Sequence, residues 1–143
     1  DAEAFKNKNI DELYEKYFSV VREAINSDLY DIMGHIDLIK KFAYYASVSP
    51  YEWYKKIIRS LKNKDKVIEI NTNGLNKPCR EFYPEEDFVK MCFQSNIPVT
   101  LGSDAHVSNQ VGQYFDKAVE MLKRIGYRKI ATFNQRKRTM ELL

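Results

Sequence analysis

Val67-Ile68-Glu69-Ile70-Asn71 decides the fold. The run is short and mostly β-branched, follows the charged pair Asp65-Lys66, and ends in the turn-forming Thr72-Asn73-Gly74, the pattern of a buried strand. On its N-terminal side Ser49-Pro50 opens a helix over about 51–61. Proline costs nothing there because its missing N–H has no helical partner, and Trp53, Ile57, Ile58 and Leu61 recur at helical spacing. On its C-terminal side Pro84 starts a helix to about Ser95, and Pro98-Val99-Thr100-Leu101-Gly102 reads as another strand.

The same alternation continues to both ends. Asn9 or Asp11 caps a helix to about Asn26, with Leu13, Tyr17, Val20, Ala24 and Ile25 as its apolar face. Tyr30 to His35 reads as a short strand and Asp37 to Phe42 as a helical turn. Tyr114 to Ile125 is helical, Lys129 to Phe133 a fourth strand, and Gln135 to Leu143 a final helix. One helix, then four strand–helix units, predicts an α/β protein with about four parallel strands. An open doubly wound sheet or part of a (β/α) barrel would satisfy the order. Four units are about half of an eight-fold barrel, which takes ~250 residues.

Composition narrows the class. The 143 residues, 44% of them hydrophobic, with 5 Gly and 4 Pro, suit a single globular domain and exclude a disordered or repetitive chain. No apolar run approaches the ~20 residues of a membrane helix, and no signal peptide opens the chain. The 23 basic residues exceed the 20 acidic ones by a net charge of +3, too little to indicate a nucleic-acid partner. The basic residues near the C-terminus, from Arg124 to Arg138, alternate with Glu120 and Glu141 and read as a solvated helical face. Cys79 and Cys92 form neither a disulfide framework nor a CxxC zinc site, so a reducing cytoplasm is the expected setting.

The chain has only two histidines, and each follows an expected strand: Gly34-His35-Ile36-Asp37 and Gly102-Ser103-Asp104-Ala105-His106. Asn71 occupies the equivalent place after the strand at 67. In parallel α/β folds the C-terminal strand ends share one face, where ligands gather. His35, Asn71, Asp104 and His106 are therefore expected to converge. Asp104 and His106 are two apart, so in extended backbone they would face the same way, as ligands of one metal cluster must. Taken singly, a histidine after a strand or an aspartate at a turn is as readily a cap.

Three segments, Gly34 to Lys41, Glu69 to Leu75 and Thr100 to His106, together resemble the PHP (polymerase and histidinol phosphatase) superfamily, in its histidinol-phosphatase branch. Lys77-Pro78, Glu81, Tyr83-Pro84, the run from Val111-Gly112 through Phe115, and Gly126-Tyr127 add to the likeness. The resemblance implies a distorted (β/α)7 TIM-like barrel with a divalent metal cluster (Zn, Mn or Fe) at the strand ends. It makes His35, Asp104 and His106 metal ligands, the last two as an Asp-x-His motif. Lys77, Arg80 and Asn71 become the candidates for substrate phosphate contact. Such metals activate water and neutralise phosphoryl charge, which suits a phosphomonoester like histidinol phosphate.

The family also carries an N-terminal His-x-His motif, further histidines and a glutamate, none of which is present. The resemblance therefore implies residues 1–143 as the C-terminal half of a single PHP domain, inactive alone. Half a barrel leaves strand edges and an apolar face open. It is expected to pair with the other half, form a homo-oligomer or aggregate. Glu69, inside its strand, is expected to line the barrel, and Lys40 and Lys41 to lie at the surface. The alternatives are a PHP-type phosphodiesterase or nuclease, and a non-catalytic binding domain.

Overall fold

The computed structural model describes residues 2–62 and 64–143. Helix α1, Ile10–Asn26, is opened by Asn9, whose side chain accepts from the N–H groups of Asp11 and Glu12. Its buried residues are Tyr14, Phe18 and Ile25. Val20 is exposed, so the inward face is turned by about one position from the face expected. The aromatic partners explain the turn: the Phe18 ring stacks on Trp53 of α2, Tyr51–Leu61, with centroids 5.5 Å apart, and Tyr14 packs on the same indole at 5.5 Å.

Three strands, β1 (Ile32–Met33), β2 (Val67–Asn71) and β3 (Val99–Gly102), form a parallel sheet in that order. Ile68 pairs with Met33 and with Val99, and Asn71 pairs with Gly102. Alternation along β2 sends Ile68 and Ile70, both 0% exposed, into the helix-lined core. Burying two such side chains stabilises the fold by ~1.5–3 kcal/mol each. Glu69 and Asn71 point to the opposite face. Helix α3 (Glu86–Gln94) closes the core with Phe88, Val89 and Cys92, and α4 (Phe115–Ile125) with Ala118, Met121 and Leu122.

Two expectations fail at the C-terminus. The parallel sheet has three strands, not four, because β4 (Lys129–Asn134) pairs antiparallel with a following strand. That strand, β5 (Lys137–Leu142), occupies the segment expected to be the final helix. Gln135 and Arg136 both take positive φ, 48° and 64°, which closes a two-residue hairpin of matching twist. Helix propensity over 135–143 is only a weak prior, and here the open edge of β4 overrides it. The hairpin tip is clipped to the sheet's other end: Arg136 donates to both oxygens of Asp31 at 2.7 and 2.9 Å, and Arg138 meets Asp65 at 2.6 Å.

Among the described residues, no helix is long and apolar enough to cross a membrane.

Candidate active site

The C-terminal ends of the three parallel strands bring together residues far apart in the chain. His35 follows β1, Asn71 ends β2, and Asp104 follows β3. His35 Nε2 lies 3.7 Å from Asp104 Oδ2, and His35 Nδ1 lies 3.9 Å from Glu69 Oε2. Asn71 Nδ2 sits 3.2 Å from His35 Nε2 and donates to Glu69 Oε2 at 3.4 Å. The convergence of His35, Asn71 and Asp104 expected from their strand-end positions is thus present.

Glu69 occupies a slot made by glycine on either side. A Cβ on Gly34 would lie 2.9 Å from Glu69 Oε2, and one on Gly102 would lie 2.0 Å from Oε1. Glu69, expected to line the barrel from inside its strand, lies in β2 on the face away from the helix-lined core, and Gly34 and Gly102 leave its carboxylate room.

Both His35 and Asp104 hold left-handed backbone, with φ of 54° and 47°. For residues other than glycine such backbone costs ~1–3 kcal/mol and persists where surrounding bonds impose it. The His35 carbonyl accepts from the Tyr17 hydroxyl and, at 3.2 Å, from the Leu38 N–H. The Asp104 carbonyl accepts from Asn73 Nδ2 at 3.4 Å and from His106 Nδ1 at 2.9 Å.

This conformation corrects the expectation for Asp104 and His106. The backbone at Asp104 is not extended, so spacing by two does not set the side chains in parallel. Instead His106, exposed, folds its ring back onto the Asp104 carbonyl. A carbonyl can only accept, so Nδ1 carries the proton and Nε2 is left with its lone pair outward in the neutral ring. Metal-binding histidines characteristically donate their second ring N–H in this manner.

Polar amides surround Asp104. Asn73 Nδ2 donates to Asp104 Oδ2 at 3.1 Å, and the Asn73 side-chain oxygen accepts from Asn76 Nδ2 at 3.1 Å. Gln113 accepts from Asn76 at 2.9 Å and donates to the Ser103 carbonyl at 3.2 Å. Burial pushes the Asp104 carboxyl up. The Asn73 hydrogen bond and the charges of His35 and His106 outweigh it, and the carboxyl sits below its ordinary value.

Of the three phosphate candidates, Asn71 stands within this group. Asn71 is 0% exposed and its amide is committed to protein partners. Arg80 folds its guanidinium onto the Leu75 carbonyl at 3.1 Å. It lines a cleft of about 470 Å³ whose other walls include Glu85, Glu86, Asp87 and Lys90. Lys77 is half-buried at the end of the 3-10 turn Asn73–Asn76.

Lys40, expected at the surface, is 3% exposed. Its Nζ lies 2.8 Å from Asp37 Oδ2 and 2.7 Å from Glu81 Oε2. Asp37 also accepts from the Glu85 N–H at 2.9 Å and from the Tyr54 hydroxyl at 3.3 Å. The same ammonium stands 5.9 Å from the Tyr83 ring, whose other neighbour is the His35 imidazole at 6.1 Å. The buried charges thus tie the loop after His35 to the 81–85 segment.

The donor set suits a cation, in part. His35 Nε2 lies 3.7 Å from Asp104 Oδ2, and Glu69 Oε2 lies 3.9 Å from the other ring nitrogen. Among the described residues, no group of three His, Cys, Asp or Glu side chains converges to hold a metal ion. The residues present fit a share of a metal site and not a whole one.

No family model matches the chain. It is 34% identical over 133 residues to the Deinococcus radiodurans protein named "Probable histidinol-phosphatase", covering 93% of this chain and 50% of that protein. It is 26% identical over 138 residues to the histidinol-phosphatase of Lactococcus lactis, covering 92% and 51%. The solved structure of histidinol phosphate phosphatase from Lactococcus lactis, complexed with Zn, L-histidinol and phosphate, superposes with a TM-score of 0.79 at 26% identity, over 94% of this chain and 54% of that one. The Listeria monocytogenes histidinol phosphatase structure gives a TM-score of 0.68 at 28% identity, over 76% and 44%. The resemblance carried by the three motifs is therefore to the histidinol-phosphatase branch, and the chain spans about half the length of the curated relatives it matches.

Proposed function

We propose, from this kinship with the histidinol-phosphatases, that the chain forms part of a metal-dependent phosphomonoesterase domain acting on a histidinol-phosphate-like substrate. His35, Asp104 and His106 are its share of the ligands to a divalent metal cluster of Zn, Mn or Fe. The observation that carries the reading is the approach of His35 Nε2 to Asp104 Oδ2, 3.7 Å apart at the ends of two parallel strands. Neutral imidazole and ionised carboxylate in that relation favour a divalent cation. When bound, the metal would polarise the phosphoryl group and activate the attacking water.

The chain's own residues have separate tasks. His106 presents Nε2 outward because Nδ1 is held by the Asp104 carbonyl. Asp104 stays ionised at neutral pH, its carboxyl held below the ordinary value. Lys77 and Arg80 remain the basic candidates after the Asn73–Asn76 turn, and phosphate contact by Arg80 requires its guanidinium to release the Leu75 carbonyl. Because two converging ligands do not complete a site, the chain as it stands is inactive, and it acts as the C-terminal half of a barrel with a second half of the same domain.

The test is hydrolysis of histidinol phosphate by the full-length protein carrying this sequence, with Zn or Mn, against its Asp104→Ala and His106→Ala variants. Loss of activity in both supports the assignment. Full activity in either variant, or preferential hydrolysis of bis-p-nitrophenyl phosphate over monoesters, overturns it, the latter in favour of a phosphodiesterase.

A further inference from the structure

We propose that β5 is a self-pairing edge: two copies of the chain join antiparallel along it, with Thr139 on the two-fold axis and Lys137 of each copy opposite Glu141 of the other. The inference is independent of the metal-site reading.

The two sides of the strand differ in what they bond. The turn at Gln135-Arg136 pairs Asn134 with Lys137, and the ladder runs on to Lys129 with Leu142. In such a turn the closing pair is hydrogen-bonded, and bonded and non-bonded pairs alternate beyond it. The Leu143 N–H, donating to the Arg128 carbonyl at 3.1 Å, fixes the phase. Lys137, Thr139 and Glu141 therefore bond to β4, while Arg138, Met140 and Leu142 turn their N–H and C=O groups outward. The sheet holds only β4 and β5, so among the described residues no strand receives these groups. All of β5 is exposed, Met140 at 41% and Leu142 at 78%. A row of open donors and acceptors of this kind is a template for another strand.

The charges select a second copy and its register. Opposed side chains in a sheet share a face, so a two-fold axis normal to the sheet must pass through one residue and its own copy. An axis on Arg138 or Glu141 would oppose like charges, which disfavours pairing. An axis on Met140 brings no charges of opposite sign together. An axis on Thr139 sets Lys137 opposite Glu141 on both sides of it, and among the described residues neither forms an ion pair within its own chain. Charges on an edge strand keep it from pairing when they meet their like; in this register they meet their opposites.

The same register satisfies the backbone. It places Arg138 opposite Met140 of the second copy, and these are residues whose N–H and C=O groups face outward, so each such pair can exchange both hydrogen bonds. The Arg138 guanidinium is held by Asp65 at 2.6 Å, which leaves its aliphatic stem for the Met140 side chain. A single strand pair falls in the weak class of interface, below ~1,200 Å², so the dimer is expected to be reversible.

Sedimentation of the full-length protein carrying this sequence, over a dilution series, is expected to show a monomer–dimer equilibrium. A monomer at every dilution, the outcome if another part of the same domain covers β5, overturns the proposal. Met140→Pro removes an outward N–H and none of the bonds to β4, and is expected to abolish the dimer; a dimer that survives it overturns the proposal. Lys137→Glu is expected to weaken dimerisation about tenfold or more, and Lys137→Glu with Glu141→Lys to restore it. A double variant no better than the single one overturns the charge pairing. Thr139→Cys is expected to give a disulfide-linked dimer on mild oxidation, since the residue meets its own copy at the ~4.5 Å Cα separation of a non-hydrogen-bonded pair, within disulfide reach. Cys79 and Cys92 are buried and do not compete. Cross-linking by Met140→Cys in preference to Thr139→Cys overturns the register.

Discussion

His35 Nε2 stands 3.7 Å from Asp104 Oδ2, although 68 residues of sequence, including the whole of β2, lie between them. The parallel pairing of β1, β2 and β3 makes the distance: all three strands run the same way, so the segments that follow β1 and β3 leave the sheet on one side. Asp104→Ala removes one side of this pair. On the proposed metal-ligand role of Asp104, the expected outcome is a loss of histidinol phosphate hydrolysis exceeding ~100-fold in the full-length protein, more than the ~10–100-fold typical of an outer-shell contact. A steady-state assay with saturating Zn or Mn checks it.

Gly102→Ala places a methyl group 2.0 Å from Glu69 Oε1, closer than any real contact. The expected cost is ~1–3 kcal/mol by overpacking, read from urea unfolding. Glu69→Ala in the same protein is expected to return much of that stability, and a double-mutant cycle showing strict additivity would deny the contact.

Lys40→Met strands Asp37, 1% exposed, without its cation. Breaking a buried pair costs ~3–5 kcal/mol. Burial already pushes the Asp37 carboxyl above its ordinary value, with Lys40 opposing, and without Lys40 the upward shift grows. A carboxyl raised in the folded state penalises folding above its unfolded value and is relieved on protonation. The variant is therefore expected to become more stable, relative to wild type, as pH falls from neutral toward the ordinary carboxylate range. Melting curves across that range check the sign.

Arg136→Ala unclips the β4–β5 hairpin from Asp31 while leaving the pairing of β4 with β5. Amide exchange is expected to quicken in β5, which is exposed along its length, with little change in the core strands. In the wild type the Arg136 hydrogen bond holds the Asp31 carboxyl below its ordinary value. The extra protection is therefore present above the usual carboxylate range and lost as pH falls through the lowered value. Equal exchange in variant and wild type at neutral pH would show that the clip does nothing.

Much of the site was legible locally. Periodicity and turn residues marked β2 at Val67–Asn71 and the helices α2 and α4 nearly to the residue, because each satisfies its own backbone and buries one face whatever its neighbours do. Strand-end position alone grouped His35, Asn71 and Asp104. Where contacts decide, the reading failed. Lys40 looks like any surface lysine until Asp37 and Glu81 close on it. The segment 135–143 carries no local feature that forbids a helix; it is a strand because β4 offers an unpaired edge and Asp31 holds the turn.

By itself, then, the sequence determined an α/β order, its strongest strand and which histidines and acids follow the strand ends, since spacing and side-chain chemistry are properties of neighbours along the chain. Only the tertiary structure decided that three strands and not four are parallel, that His106 turns back on Asp104, and that Asn71 and Asn73 are occupied by His35 and Asp104. Those outcomes depend on which hydrogen-bonding groups meet across the fold, and a buried donor takes the acceptor that packing brings to it.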